Sequence, residues 1–233
     1  MAGGRTIAQA FEARGTRLGL LLHRIVLAPM ATNCYIVGDD EAKECIVVDP
    51  ASEAERILAV LEKLGLKATL VAVTHGHPDH TGAVVPLLKA TGAPFAMHPA
   101  DVPHLPEWGS MFGFMIPDFQ DPPSPDVELT EDVAVKVGGL PFIAIETPGH
   151  TPGGICLYGE GVLLSGDTLF QEGIGRYDLP GGDGRRLLES IRTQLFTLPD
   201  ETEAFPGHGE ATTIGWEKRH NPFTQGGLPE DVI

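Results

Sequence analysis

Residues 74–80 read Thr-His-Gly-His-Pro-Asp-His, placing three histidines and a carboxylate within the six positions from His75 to His80. Imidazole binds metals in its neutral form and is the commonest metal ligand near neutral pH. The stretch directly follows an apolar run, Ala68 to Val73, so these side chains stand where a strand ends and the chain turns. On an extended segment His75 and His77, two residues apart, point to the same side. Pro78 fixes its own φ and lacks an N–H, which stiffens the link to Asp79 and His80. A helix beginning at Asp79 carries a carboxylate in its first turn, where the helix dipole favours negative charge. A solvated polar loop accounts for one or two of these residues; a metal site accounts for four potential ligands in six positions.

The chain on either side reads as strands followed by helices. Leu18 to Val26, Asn33 to Val37 and Glu44 to Asp49 are strand-like, and the turn Gly38-Asp39-Asp40 joins the last two as a hairpin. Ser52 is expected to cap a helix of about a dozen residues, with Glu55 at the capping-box position, Ile57, Leu58, Leu61 and Leu64 on its apolar face and Gly65 as its stop. Leu70 to Val73 is a buried strand, Asp79 to Ala90 a helix that Pro86 kinks or delays, and Pro94 to Met97 a short strand. A second series follows: Val127–Leu129, Val133–Val137, Phe142–Glu146, Gly154–Tyr158 and Val162–Ser165 as strands, Arg185–Leu195 as a helix, Glu203–Phe205 as a strand. Two sequential sets of strands with helices predict an α/β domain of two sheets packed face to face with helices outside.

Residues 103–126 differ in character. Prolines at 103, 106, 117, 122, 123 and 125 alternate with Trp108, Met111, Phe112, Phe114, Met115 and Phe119. The stretch lacks periodicity and reads as a loop insertion of about 103–126; its aromatics argue against disorder. It is either a lid or pocket wall beside the metal site, or a segment packed on the core or against a second copy in a homo-oligomer.

Of the 233 residues, 32 are acidic and 16 basic, a net charge of −16. Phosphate binding needs a basic surface, so nucleic acid is not an expected partner. A small anionic substrate remains compatible, because a metal and one arginine supply positive charge locally. No apolar run is long enough to span a membrane, and the N-terminus shows no apolar core after a basic start. Residues 1–17, with Arg5, Glu12, Arg14 and Arg17, read as an N-terminal extension, and 224–233 as a C-terminal tail. Cys34, Cys45 and Cys156 form no Cys-x-x-Cys pair and lie in apolar runs, as expected of buried, reduced thiols in a cytoplasmic protein.

The device at 75–80 recurs. Thr147-Pro148-Gly149-His150, Ser165-Gly166-Asp167 and Pro206-Gly207-His208 each set a metal-ligand side chain just after a strand, behind small residues. Singly, each could be a satisfied structural group; together they describe a site assembled from loops on one rim of a rigid scaffold.

In order, spacing and loop context, His75-x-His77-x-Asp79-His80 with His150, Asp167 and His208 resembles the metallo-β-lactamase superfamily, over roughly residues 18–223. The resemblance implies a four-layer αβ/βα sandwich with a two-metal site at one edge. It implies that His75, His77 and His150 hold one metal, that Asp79, His80 and His208 hold the other, and that Asp167 bridges them. Asp49, at a strand end, matches the family's early aspartate and would orient a ligand from behind. No position of the seven-ligand pattern is missing, so two divalent metals per chain are expected, Zn first, with Fe or Mn as alternatives. Two metals about 3.5–4 Å apart can share and deprotonate a water, making hydroxide the nucleophile. Asp79 and Asp167 are the catalytic carboxylates expected to act with it.

Gly166-Asp167-Thr168-Leu169-Phe170, Gly173-Ile174-Gly175-Arg176, Gly207-His208-Gly209, Thr212-Thr213-Ile214-Gly215 and Asn221-Pro222-Phe223 resemble glyoxalase II, most of all its short bacterial relatives. That branch implies hydrolysis of a thioester, S-lactoylglutathione in the type reaction. Arg176 matches a basic glutathione-contacting position; its guanidinium suits a carboxylate, and a surface arginine is the plainer alternative. There are departures: Asp178 stands where a tyrosine is expected, and the 25 residues after His208 leave no expectation of the helical domain that supplies most glutathione contacts in longer members. A mononuclear Fe(II) persulfide dioxygenase of the same fold is the alternative enzyme; lactonase and β-lactamase readings rank lower, because the segment at 166–176 points away from them.

Overall fold

The computed structural model describes residues 14–15 and 19–226. The expectations for Arg5, Glu12 and Arg17, for Leu18 as the start of a strand, and for residues 227–233 lie outside them. The first sheet has seven strands in chain order: β1 (Arg14–Gly15), β2 (Leu20–Leu27), β3 (Thr32–Asp39), β4 (Glu44–Val48), β5 (Lys67–Ala72), β6 (Phe95–Met97) and β7 (Val127–Glu128). The second has six, ordered β15 (Thr212–Thr213), β14 (Glu203–Pro206), β11 (Val162–Gly166), β10 (Ile155–Gly159), β9 (Leu140–Glu146) and β8 (Ala134–Val137). A hairpin of β12 (Leu169–Phe170) and β13 (Gly173–Ile174) follows β11. The helices are α1 (Ala54–Leu64), α2 (Pro78–Thr81), α3 (Val84–Thr91), α4 (Leu105–Phe112), α5 (Gly184–Thr193), α6 (Ile214–His220) and α7 (Pro222–Gly226).

Side-chain alternation along the strands builds four layers. In β3, Cys34 and Ile36 face a core with Ile57 and Leu61 of α1, Val84 and Leu87 of α3, and Leu105 and Trp108 of α4. Tyr35 and Val37, on the other face, join Phe142, Ala144, Leu157, Leu164 and Phe205 of the second sheet. That sheet's far face, with Ile145, Cys156, Leu163 and Ala204, packs on Leu187 and Ile191 of α5 and Ile214 of α6. β3 is therefore buried at all eight positions, while β8 alternates exposed and buried residues. The fold is the αβ/βα sandwich that the sequence implies.

Strand direction places the site. β4, β5, β6 and β7 run parallel, as do β11 and β14, and β9 runs the same way as β11 because both are antiparallel to β10. The carboxyl ends of β4, β5, β9, β11 and β14 carry Asp49, the 75–80 stretch, His150, Asp167 and His208 in turn. Ligands gather at such strand ends because the connecting loops must begin there. Backbone hydrogen bonds join the sheets at this edge: Asn33 N donates to Gly207 O at 2.7 Å, and Ile155 N to Thr74 O at 2.9 Å.

Several local expectations are corrected. Ser52 does not cap α1; Glu53, left-handed at φ 49°, stands at that position, and the Ser52 hydroxyl donates to the Ala28 carbonyl instead. Of the two outcomes expected of Pro86 the delay holds and the kink does not: the expected helix is broken at Gly82–Ala83, and α3 starts at Val84 with Pro86 in its first turn, where an N–H needs no intrahelical partner. The 103–126 segment is not a structureless insertion. It holds α4 and the 3-10 turns Pro99–His104 and Gly113–Met115, and its Trp108 is fully buried. Pro106 lies in the first turn of α4, so its missing N–H costs the helix nothing there. Arg14 and Gly15, expected in a free extension, pair with β2, and α7 extends into the stretch expected to be tail. No helix among the described residues is long and apolar enough to cross a membrane.

Candidate metal centre

All seven residues of the pattern converge. His75 Nε2 lies 3.2 Å from His150 Nε2, which lies 3.0 Å from His77 Nδ1. In the neighbouring group, His208 Nε2 is 3.2 Å from Asp79 Oδ2 and 3.3 Å from His80 Nε2. Asp167 spans the two: Oδ2 is 3.7 Å from His150 Nε2 and 3.6 Å from His208 Nε2, while Oδ1 is 3.4 Å from His80 Nε2. His75, His77 and His150 form one compact set of donors, Asp79, His80 and His208 a second, and His75, His80 and Asp167 a third that overlaps both. Gly207 must be small: a β-carbon there would overlap Asp167 Oδ1 and the His80 ring.

The hydrogen bonds behind the imidazoles decide which nitrogens face inward. His150 Nδ1 donates to the Arg176 carbonyl at 2.6 Å, so its Nε2 presents a lone pair. Thr74 Oγ1 donates to Asp49 Oδ2 at 2.8 Å and is left to accept from His75 Nδ1 at 3.2 Å, which again leaves Nε2 bare. His80 Nδ1 lies 3.0 Å from Asp49 Oδ2, a close charge contact without hydrogen-bond geometry, while its Nε2 faces His208 and Asp167. Asp49 in addition accepts from Thr74 N at 2.7 Å, fastening the strand end that precedes His75. His75 and His150 thus turn bare Nε2 atoms toward each other at 3.2 Å, and lone pairs that close repel unless a cation lies between them. Four donors about 2.0–2.1 Å from a tetrahedral ion stand roughly 3.3 Å apart, which is the spacing of these atoms. The donor set fits metal.

The two halves differ electrostatically. Burial and the neighbouring imidazoles hold His75 well below the usual histidine range, and burial with His150 takes His77 to about 3. Burial also acts against a charge on His80, but Asp167, Asp49 and Asp79 override it and hold the ring protonated above its ordinary range. His208 is likewise raised against burial, by its contact with Asp79 and the charge of Asp167. Burial opposes ionisation of Asp79 and Asp167, yet the adjacent His80 holds both below the carboxylate range.

Arg176 meets the cluster through its carbonyl. Its guanidinium forms a two-pronged pair with Asp178, both contacts 2.9 Å, on an exposed surface. Two further residues escaped the sequence reading. Trp108 packs edge-on to His77, ring centroids 4.7 Å apart, and donates Nε1–H to the Pro180 carbonyl. Asp101, fully buried, accepts from Gly76 N, Thr151 Oγ1 and Gly153 N. A signal for Asp101 existed: it too is a carboxylate just beyond a parallel strand, β6.

Residues 27–208 match the family model described as the metallo-beta-lactamase superfamily. Hydroxyacylglutathione hydrolase GloC of Haemophilus influenzae is 40% identical over 198 residues, spanning 82% of this chain and 92% of that protein. The structure of BLEG-1 B3 metallo-beta-lactamase superposes with a TM-score of 0.80 at 36% identity, over 88% of this chain and 100% of that one. TTHA1623 in a di-iron-bound form gives 0.75 at 36% identity, over 86% and 98%.

Proposed function

Because the chain belongs to the metallo-beta-lactamase superfamily, we propose that it is a glyoxalase II-like hydrolase holding two divalent metals and cleaving a thioester, S-lactoylglutathione or a close relative. His75, His77 and His150 would hold one metal, Asp79, His80 and His208 the other, with Asp167 shared. The observation that carries the reading is Asp167, whose carboxylate lies 3.7 Å from His150 Nε2 on one side and 3.4 Å from His80 Nε2 on the other. The likeness to the Haemophilus hydrolase supports the choice of a thioester. When bound, such a pair of metals supplies an activated water and polarises the carbonyl under attack.

The chain's own residues do the rest. Thr74, itself held by Asp49, keeps His75 in the tautomer that presents Nε2, the Arg176 carbonyl does the same for His150, and Asp49 sets a negative charge 3.0 Å behind His80 Nδ1. Asp79 and Asp167, both ionised at neutral pH, are bases beside the place where a water must lose its proton. Asp79 is the more open of the two and suits proton return to the departing thiolate.

One experiment covers the reading and its rivals. The purified protein is analysed for metal, then offered S-lactoylglutathione, glutathione persulfide with oxygen monitoring, and a β-lactam. Two metals per chain and loss of thioester absorbance are expected, with Zn, Fe or Mn as the metal. The set His75, His80 and Asp167 is the two-histidine, one-carboxylate composition of non-haem iron oxygenases, and it favours the dioxygenase as second reading. Oxygen uptake with one iron per chain and no thioester hydrolysis would establish that instead.

A further inference from the structure

Asp101 is fully buried, and its three hydrogen bonds reach the two loops that carry His75, His77 and His150. Oδ2 accepts from Gly76 N, between the first two histidines, and from Thr151 Oγ1, beside the third, both at 2.9 Å. Oδ1 accepts from Gly153 N at 2.6 Å. The residue rides on the 3-10 turn Pro99–His104, anchored by its own N–H to the His98 carbonyl.

We propose that Asp101 is the positioning residue of the three-histidine half-site, joining the two ligand loops so that His75, His77 and His150 converge before metal arrives. It rests on reading those histidines as ligands of one metal. A carboxylate is needed because all three partners donate, and only a group that accepts at both oxygens satisfies them. An amide in the same place sets its NH₂ against at least one backbone N–H. Space at the contacts is reserved for this residue. A β-carbon on Gly153 would come within 2.8 Å of Asp101 Oδ1, and one on Gly76 within 3.3 Å of its Cβ and 2.9 Å of Trp108 and Leu105. Neither glycine has a positive φ, so close approach and not backbone conformation excludes a side chain at both. Ligands held in place without metal lose little freedom on binding it, which is what gives an outer residue leverage on affinity.

The fold supplies its own control. Asp39 also accepts three N–H groups, from Glu41 at 2.9 Å, Ala42 at 3.0 Å and Gly139 at 2.9 Å. It lies at the far end of β3, roughly 23 Å along the strand from Thr32 at 3.3 Å per residue, and Thr32 is the residue that bridges to His208.

The test is competition between a chromophoric chelator and the apoprotein for Zn²⁺, with the two sites resolved, on wild type, Asp101→Asn, Asp39→Asn and His77→Ala. His77→Ala marks the site of the three histidines by abolishing it. Asp101→Asn is expected to weaken that same site by about 10–100-fold and the other by no more than about twofold. Asp39→Asn is expected to lower the melting temperature and leave both affinities unchanged. Equal losses at both sites in Asp101→Asn, or affinities matching Asp39→Asn, overturn the positioning role. If Asp101→Asn is not recovered folded, Thr151→Ala decides: about fivefold weakening at the same site supports the role, and none overturns it. Should His77→Ala keep both zinc ions, the ligand assignment fails and not the role of Asp101 alone.

Discussion

The two halves of the metal centre use similar ligands in contrasting surroundings. His75, His77 and His150 are 2%, 4% and 4% exposed, and each is held from behind: by Thr74, by the Trp108 ring and by the Arg176 carbonyl. In the other half the side chains of Asp79 and His208 are 21% and 29% exposed, and His80 sits among three carboxylates. Burial and the neighbouring imidazoles depress His75 and His77, which keeps those two rings neutral and ready to ligate. Carboxylates around the second set keep protons on its imidazoles, which a metal must displace. The first half is thus a preformed socket, while the second is open, charged and placed where substrate can reach it.

The contrast breaks most completely at Asp167, the group the halves share. Asp167→Ala is expected to empty both sites and lower kcat/KM by about 10³-fold or more, since each metal contributes several kcal/mol to the transition state and about 1.4 kcal/mol is tenfold. Metal analysis, turnover and a melting curve check this, and unchanged turnover in a folded variant ends the shared-carboxylate reading.

Acidity should separate the halves next. His80 and His208 are held above the ordinary histidine range by the carboxylates around them, so metal uptake there competes with protons and weakens as the pH falls. Its affinity falls about tenfold per pH unit for each proton displaced. His75 and His77 are depressed, so those two ligands need shed no proton as the pH falls below neutrality, and His77 itself protonates only near 3. Site-resolved zinc titrations from mildly alkaline to mildly acid pH read this directly; parallel loss from both halves contradicts it.

The smallest effect is expected outside both halves. Asp178 already occupies the Arg176 guanidinium, and an exposed ion pair contributes only about 0–1 kcal/mol. Arg176→Ala should therefore raise KM for S-lactoylglutathione by about fivefold or less, and Asp178→Ala should lower it by freeing the arginine. A KM indifferent to both removes Arg176 from substrate contact.

All seven members of the cluster were legible in the sequence for a local reason. His75, His150, Asp167 and His208 each follow an apolar strand and a few small residues, His77, Asp79 and His80 crowd in behind His75, and the type of side chain already declares a ligand. Asp49 was legible on the same ground. Trp108 was legible only as one aromatic of a stretch read as a lid, a pocket wall or a packed segment, and Asp101, though a carboxylate just beyond β6, was given no role, because nothing within a few residues of either says what it touches. Trp108 sits in a proline-rich stretch whose helix is hidden, since α4 takes its proline in the first turn. Asp101 acquires its role from Gly76, 25 residues away, and from Thr151 and Gly153, 50 and 52 away. The cap of α1 failed similarly: Ser52 had a more distant partner, the Ala28 carbonyl.

By itself, then, the sequence determined the ligand chemistry, the strand ends that carry it and the sandwich those strands must form. These follow from side-chain type and from periods of two and 3.6 residues. Tertiary structure alone decided which nitrogen of each imidazole turns inward, which carboxylate joins the loops, and why one half is sealed and the other open. Those properties depend on hydrogen-bond partners and burial contributed by remote segments, and a run of neighbouring residues does not specify them.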